Sequence, residues 1–139
     1  MISFNYENDF EIENIQLLQT WIERVIVSED FELGEINYIF CDDDYLHHLN
    51  VEYLNHDTLT DVISFDYTVG NIVQGDIYIS TERVADNALD FKVPFREELH
   101  RVMVHGVLHY CGYKDKSETE SEAMRNMENH YLKLLQDIS

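Results

Sequence analysis

The segment His105-Gly-Val-Leu-His109-Tyr-Cys-Gly112-Tyr-Lys-Asp115 holds the residue types best suited to chemistry. On an α-helix a four-residue step advances about 400°, so His105 and His109 lie roughly 40° apart on one face and one turn apart along the axis. Both imidazoles can then reach one ion. Gly112 follows, and glycine best tolerates the left-handed backbone that ends a helix and reverses the chain. Such a reversal would return Asp115 toward the two histidines. Two nitrogens and one carboxylate oxygen leave a coordination place for solvent, which distinguishes catalytic from structural zinc. One Zn²⁺ per chain at His105, His109 and Asp115 is therefore the expectation. The same donors also suit non-haem iron or another divalent transition metal. The plain alternative is a surface or core-edge histidine pair. Against it, Leu99, Val102, Met103, Val104, Val107 and Leu108 make the helix nearly apolar, and histidines buried there need partners.

Zinc peptidases carry a glutamate directly after the first histidine as general base. Here that residue is Gly106. Peptide hydrolysis by the usual route is therefore the weakest reading, and Gly106 is better suited to close packing of another segment against the helix.

The elements that must position these residues follow from periodicity. Residues 2–6 alternate as a first strand, and Ile12, Ile15, Leu18, Ile22, Val25 and Ile26 recur at helical spacing over 12–27. Gly34 opens a strand with Ile36, Tyr38 and Phe40 on one face. Asp42 or Asp43 caps a helix over 43–54. Residues 60–66 and 75–80 read as strands, and the stretch from Gly70 to Gly75 as the hairpin between them. Ser80 caps a helix to about Leu89. Pro94 stands near the first turn of a helix over 95–111, where its missing N–H costs little. Ser117 and Glu120 form a capping box for a last helix to about Gln136. The order β-α-β-α-β-β-α-α-α places strands early and helices late, so one α+β domain over residues 1–139 is expected, with a mostly parallel α/β arrangement as the rival.

Charge bounds the partners. The chain has 28 acidic and nine basic residues, a net charge of −19, which repels a phosphate backbone at long range. Arg24 is the only base before Arg83, so a local basic face in the second half remains open. The opening MISFNYENDF lacks the basic head and apolar middle of a signal peptide. Apolar runs are too short to span a bilayer. The expectation is a cytoplasmic protein with no membrane partner and with Cys41 and Cys111 as reduced thiols.

HGVLHYCGYKD resembles the signature of the YbeY-type rRNA maturation factors, usually H-G-x-L-H-x-x-G-Y-D-H. Leu49-Asn50-x-x-Tyr53 followed by Asp57-x-x-Thr60-Asp61-Val62-Ile63-Ser64-Phe65 resembles the family's second block, and Gly75-Asp76-Ile77-Tyr78-Ile79-Ser80 its third. The resemblance implies a mixed four-stranded sheet with helices and a zinc-dependent, single-strand-specific endoribonuclease. It further implies maturation of the small-subunit (16S) rRNA 3′ end and ribosome quality control, with single-stranded rRNA, the small subunit and its proteins as partners. The metal ligands carry over to His105 and His109, with Asp115 where the family usually has histidine. Where the family commonly has arginine after the tyrosine of the second block, this chain has Leu54.

An arginine near a metal clamps the scissile phosphate. Arg101, one turn before His105, is a candidate substitute; its plainer reading is a surface residue paired with Glu97 or Glu98. Asp61 and His56 are candidate proton acceptors, though Asp61 reads equally as a strand-edge or cap residue. The rival to an enzyme is a non-catalytic assembly factor stapled by zinc, docking on basic ribosomal proteins through its acidic surface. His47 and His48 read as solvated, and His100 and His130 have no partner at ligand spacing.

Overall fold

Apolar residues at alternate positions need a sheet with a covered face, and the computed structural model builds one. It describes residues 1–54 and 60–139. The elements are β1 (Ile2–Tyr6), α1 (Ile15–Ser28), β2 (Glu32–Cys41), α2 (Asp43–Leu54), β3 (Val62–Asp66), β4 (Ile72–Ser80), α3 (Thr81–Phe91), α4 (Phe95–Tyr110) and α5 (Glu118–Ile138). The sheet order is β1-β2-β4-β3. β1 and β4 run parallel to β2, while β3 pairs antiparallel with β4. This is the expected α+β domain with a mixed four-stranded sheet.

The alternation of β2 survives in the register. Tyr38 lies opposite Ile77 and Phe40 opposite Ile79, and with Ile36 all five are buried in the main core. That core also takes Trp21 and Ile22 from α1, Met103 and Val107 from α4, and Met124 and Tyr131 from α5. The opposite face holds a smaller cluster, where Leu46 of α2 meets Cys41 and Ile63. Cys41 and Cys111 are free thiols. Among the described residues no helix is long and apolar enough to cross a membrane.

Several boundaries differ from the periodic reading. α1 begins at Ile15 because Asn14 takes a left-handed conformation, φ 60°. β2 and β4 each start earlier than expected, since Glu32 and Leu33 pair with Ile72 and Val73 before a register shift. Asp42 is the cap of α2, accepting from Tyr45 N at 3.2 Å. Ser80 caps α3, and Ser117 with Glu120 makes the full capping box of α5.

Helix α4 is fixed tightly on the sheet. A Cβ on Gly106 would lie 3.0 Å from Ile77 Cδ1, so the missing side chain permits the close approach. Tyr38 Oη donates to the Met103 carbonyl at 2.9 Å. Tyr110 Oη sits 3.0 Å from the Phe65 carbonyl and 3.1 Å from that of Asp76, passing over Gly75.

Candidate metal centre

His105 and His109 project from one face of α4, as their spacing requires. The helix then ends in a Schellman turn. Tyr113 N donates to the Leu108 carbonyl at 3.1 Å, and Gly112 N to that of His109 at 3.0 Å. Gly112 has φ 101°, a backbone most side chains avoid. The chain doubles back, and Ser121 Oγ holds the Asp115 carbonyl at 2.8 Å. The turn is tied down further by Tyr113, whose hydroxyl donates to Glu29 at 2.9 Å; Tyr131 reaches the same carboxylate.

The reversal brings three donor atoms together. His105 Nε2 and His109 Nε2 are 3.0 Å apart. Asp115 Oδ2 lies 3.2 Å from the first and 3.4 Å from the second. A tetrahedral ion with bonds of about 2.0–2.1 Å places neighbouring ligand atoms roughly 3.3–3.4 Å apart. The observed sides, 3.0, 3.2 and 3.4 Å, come close to that size, the histidine–histidine side being the shortest.

Hydrogen bonds on the far sides of the rings settle what these atoms offer. His105 Nδ1 is 2.7 Å from Glu128 Oε2, and His109 Nδ1 is 2.9 Å from the Tyr113 carbonyl. Both partners are acceptors, so each ring carries its proton on Nδ1. Both Nε2 atoms then present lone pairs to each other and to a carboxylate oxygen. Three acceptors at contact distance repel unless a metal ion or a shared proton lies among them. His105, His109 and Asp115 thus form a group able to hold a metal ion. Burial disfavours a charged His105, but the Glu128 hydrogen bond and the charges of Glu128, Asp115 and Asp61 outweigh it and raise its pKa.

A cleft of about 270 Å³ opens beside His105 and Asp115. Asp61 lines it, one residue ahead of β3. Its carbonyl accepts from Ser80 N at 3.0 Å and its carboxylate from Asn87 at 3.4 Å. Burial pushes the Asp61 carboxyl up, partly offset by its hydrogen bonds and His105. Glu98 lines the same cleft and is likewise raised, by burial and then by Asp61.

Arg101 also lines the cleft, but its expected partner is corrected. It pairs with Glu128 at 3.0 Å, with side chains only 16% and 7% exposed, rather than with Glu97 or Glu98. Position 128 lies far along the chain, and α5 packs beside α4 only in the folded molecule. His56 falls in 55–59, outside the described residues. Leu54 is exposed at the end of α2 and does not line the cleft. His48 pairs with Glu52 on the surface, and His100 packs edge-on against Trp21.

Sequence reasoning missed Glu128, Glu98 and Arg125 in this site. Glu98 carried one usable signal, an acidic residue seven before His105 on the same helix and so near the same face.

The family model described as Endoribonuclease YbeY matches residues 2–136. A Flavobacterium johnsoniae protein named Endoribonuclease YbeY is 65% identical over 129 residues, covering 93% of each chain. Its namesake from Flavobacterium psychrophilum is 65% identical over 134 residues, 96% of each chain, and that of Christiangramia forsetii 56% identical over 133, covering 96% of this chain and 93% of that one. The solution structure of TM1509 from Thermotoga maritima superposes with a TM-score of 0.69 at 27% identity, covering 97% of this chain and 89% of that one. A match over nearly the whole length, with the histidine pair, the turn and the mixed sheet in place, makes this chain a member of the YbeY endoribonuclease family.

Proposed function

We propose that the protein is a zinc-dependent endoribonuclease specific for single strands, acting in the cytoplasm on the 3′ end of small-subunit (16S) rRNA and in ribosome quality control. The observation that carries the chemistry is the convergence of His105 Nε2, His109 Nε2 and Asp115 Oδ2, with both rings fixed in the tautomer that offers lone pairs. Zinc suits two imidazoles and one carboxylate on a compact helix and turn. The family and the names of the relatives support RNA as the substrate. Unpaired RNA can present a single splayed phosphodiester to a cleft of about 270 Å³.

When bound, the ion supplies Lewis acidity at a phosphoryl oxygen. The chain's own residues do the rest. His105, His109 and Asp115 hold the ion, and Glu128 and the Tyr113 carbonyl aim the rings. Asp61 takes the proton of the attacking water; its burial in the cleft raises its affinity for that proton. Asp61→Asn should then cut turnover by roughly two orders of magnitude while leaving metal content unchanged.

Purified protein incubated with single-stranded RNA tests the reading. Cleavage should stop with chelator and in His105→Ala. Cleavage indifferent to both would remove it. The net charge of −19 favours a second reading, a metal-stapled assembly factor that docks on basic proteins of the small subunit without cutting RNA. Ribosome association that survives loss of both histidines in a folded variant, without nuclease activity in the wild type, would select it.

A further inference from the structure

The cleft beside the metal centre gathers four carboxylates, Asp61, Glu98, Asp115 and Glu128, and two guanidiniums, Arg101 and Arg125. The two arginines differ in what they are free to do. Arg101 is largely buried and donates from Nη1 to Glu128 Oε1 at 3.0 Å. The other oxygen of Glu128 accepts from His105. Arg101 is thus committed to holding the carboxylate that aims a ligand ring. Arg125 stands three residues before Glu128 on α5, with its side chain 55% exposed. Its ion pair with Glu128 Oε1 spans 3.9 Å, beyond hydrogen-bonding reach. Among the described residues no hydrogen bond engages its guanidinium.

Charge makes this freedom matter. Most of the surface of a chain at −19 repels phosphate. In the cleft, carboxylates outnumber guanidiniums by two, and one divalent cation at His105, His109 and Asp115 brings the formal count level. A phosphodiester entering there needs an uncommitted cation to meet it. A guanidinium presents paired N–H donors matched to two phosphate oxygens.

We infer that Arg125 seats the RNA phosphodiester beside the metal centre, while Arg101 acts only through Glu128. The inference rests on the RNA-cleaving reading and adds to it the residue that binds the phosphate.

The test is fluorescence anisotropy with a short, end-labelled single-stranded RNA and the metal-loaded protein, in the cold, with intact RNA verified on a gel. Arg125→Ala should weaken binding about tenfold, or about 1.4 kcal/mol, and flatten the dependence of log affinity on log salt by about 0.7. Arg125→Lys should fall between, keeping the charge but not the fork. Lys133→Ala, on the same helix and paired with Asp137, should match the wild type. All variants should keep the wild-type circular dichroism and metal content. Arg125→Ala with wild-type affinity and salt slope overturns the inference and leaves the nuclease reading intact. A wild type that neither binds nor cuts the RNA overturns both.

Discussion

Glu128 Oε2, on α5, lies 2.7 Å from His105 Nδ1, on α4. This hydrogen bond joins the last helix to the metal centre. It fixes the tautomer and plane of the His105 ring, and it makes the ring a better donor. Glu128 tolerates burial because each of its oxygens has a cationic or N–H partner.

Glu128→Gln should therefore weaken metal affinity by roughly 10- to 100-fold. Titration against a coloured competing chelator measures this. Wild-type affinity would mean that Glu128 serves Arg101 and the α4–α5 packing alone.

Gly112→Ala isolates the turn. Its φ of 101° penalises any side chain, although nothing lies within 4 Å of the added Cβ. A cost of about 1–2 kcal/mol is expected, lowering the melting temperature by several degrees. Metal affinity should fall as well, because the same turn returns Asp115. Gly70→Ala is the comparison: φ 59° with open space around it, in the loop between β3 and β4. It should cost similar stability and spare the metal affinity.

Gly75→Ala should cost more, above about 2 kcal/mol. The new methyl would overlap the Phe65 carbonyl and the Tyr110 hydroxyl, which together lock the end of α4 to the sheet. Urea denaturation of the metal-free variant checks this, and a shift below about 0.5 kcal/mol would contradict the packing described.

The first turns of the fold were plain from sequence because each depends on near neighbours. Ser117 with Glu120, Ser80, and the alternation of Ile36, Tyr38 and Phe40 are local patterns with one physical solution. The histidine pair and its turn were legible for the same reason, being eleven consecutive residues. Glu128 and Arg125 were not, since a residue on α5 carries no mark of which face of α4 it will meet. The early starts of β2 and β4 were hidden likewise, because Glu32 and Ile72 are drawn into strands by pairing with each other.

His100 gives a pH prediction independent of the metal. Burial, and then Arg96, lower its pKa to about 4 from an ordinary 6.5. Between those values the unfolded chain binds the proton and the folded chain does not, so stability falls as pH drops through that window. From about pH 7 to about pH 5 this contributes a loss of about 2 kcal/mol. His100→Gln should show a shallower loss over the same range in chelator-treated samples. Equal slopes for variant and wild type would contradict the burial described.

Three side chains converging on one cation imply a metal ion carried by the purified protein. Elemental analysis of protein purified without chelator, set against the folded His105→Ala, His109→Ala double variant, reads this out. About one zinc or other divalent transition metal is expected per wild-type chain, and almost none in the variant. A metal-free wild type, or equal metal in both proteins, would contradict it.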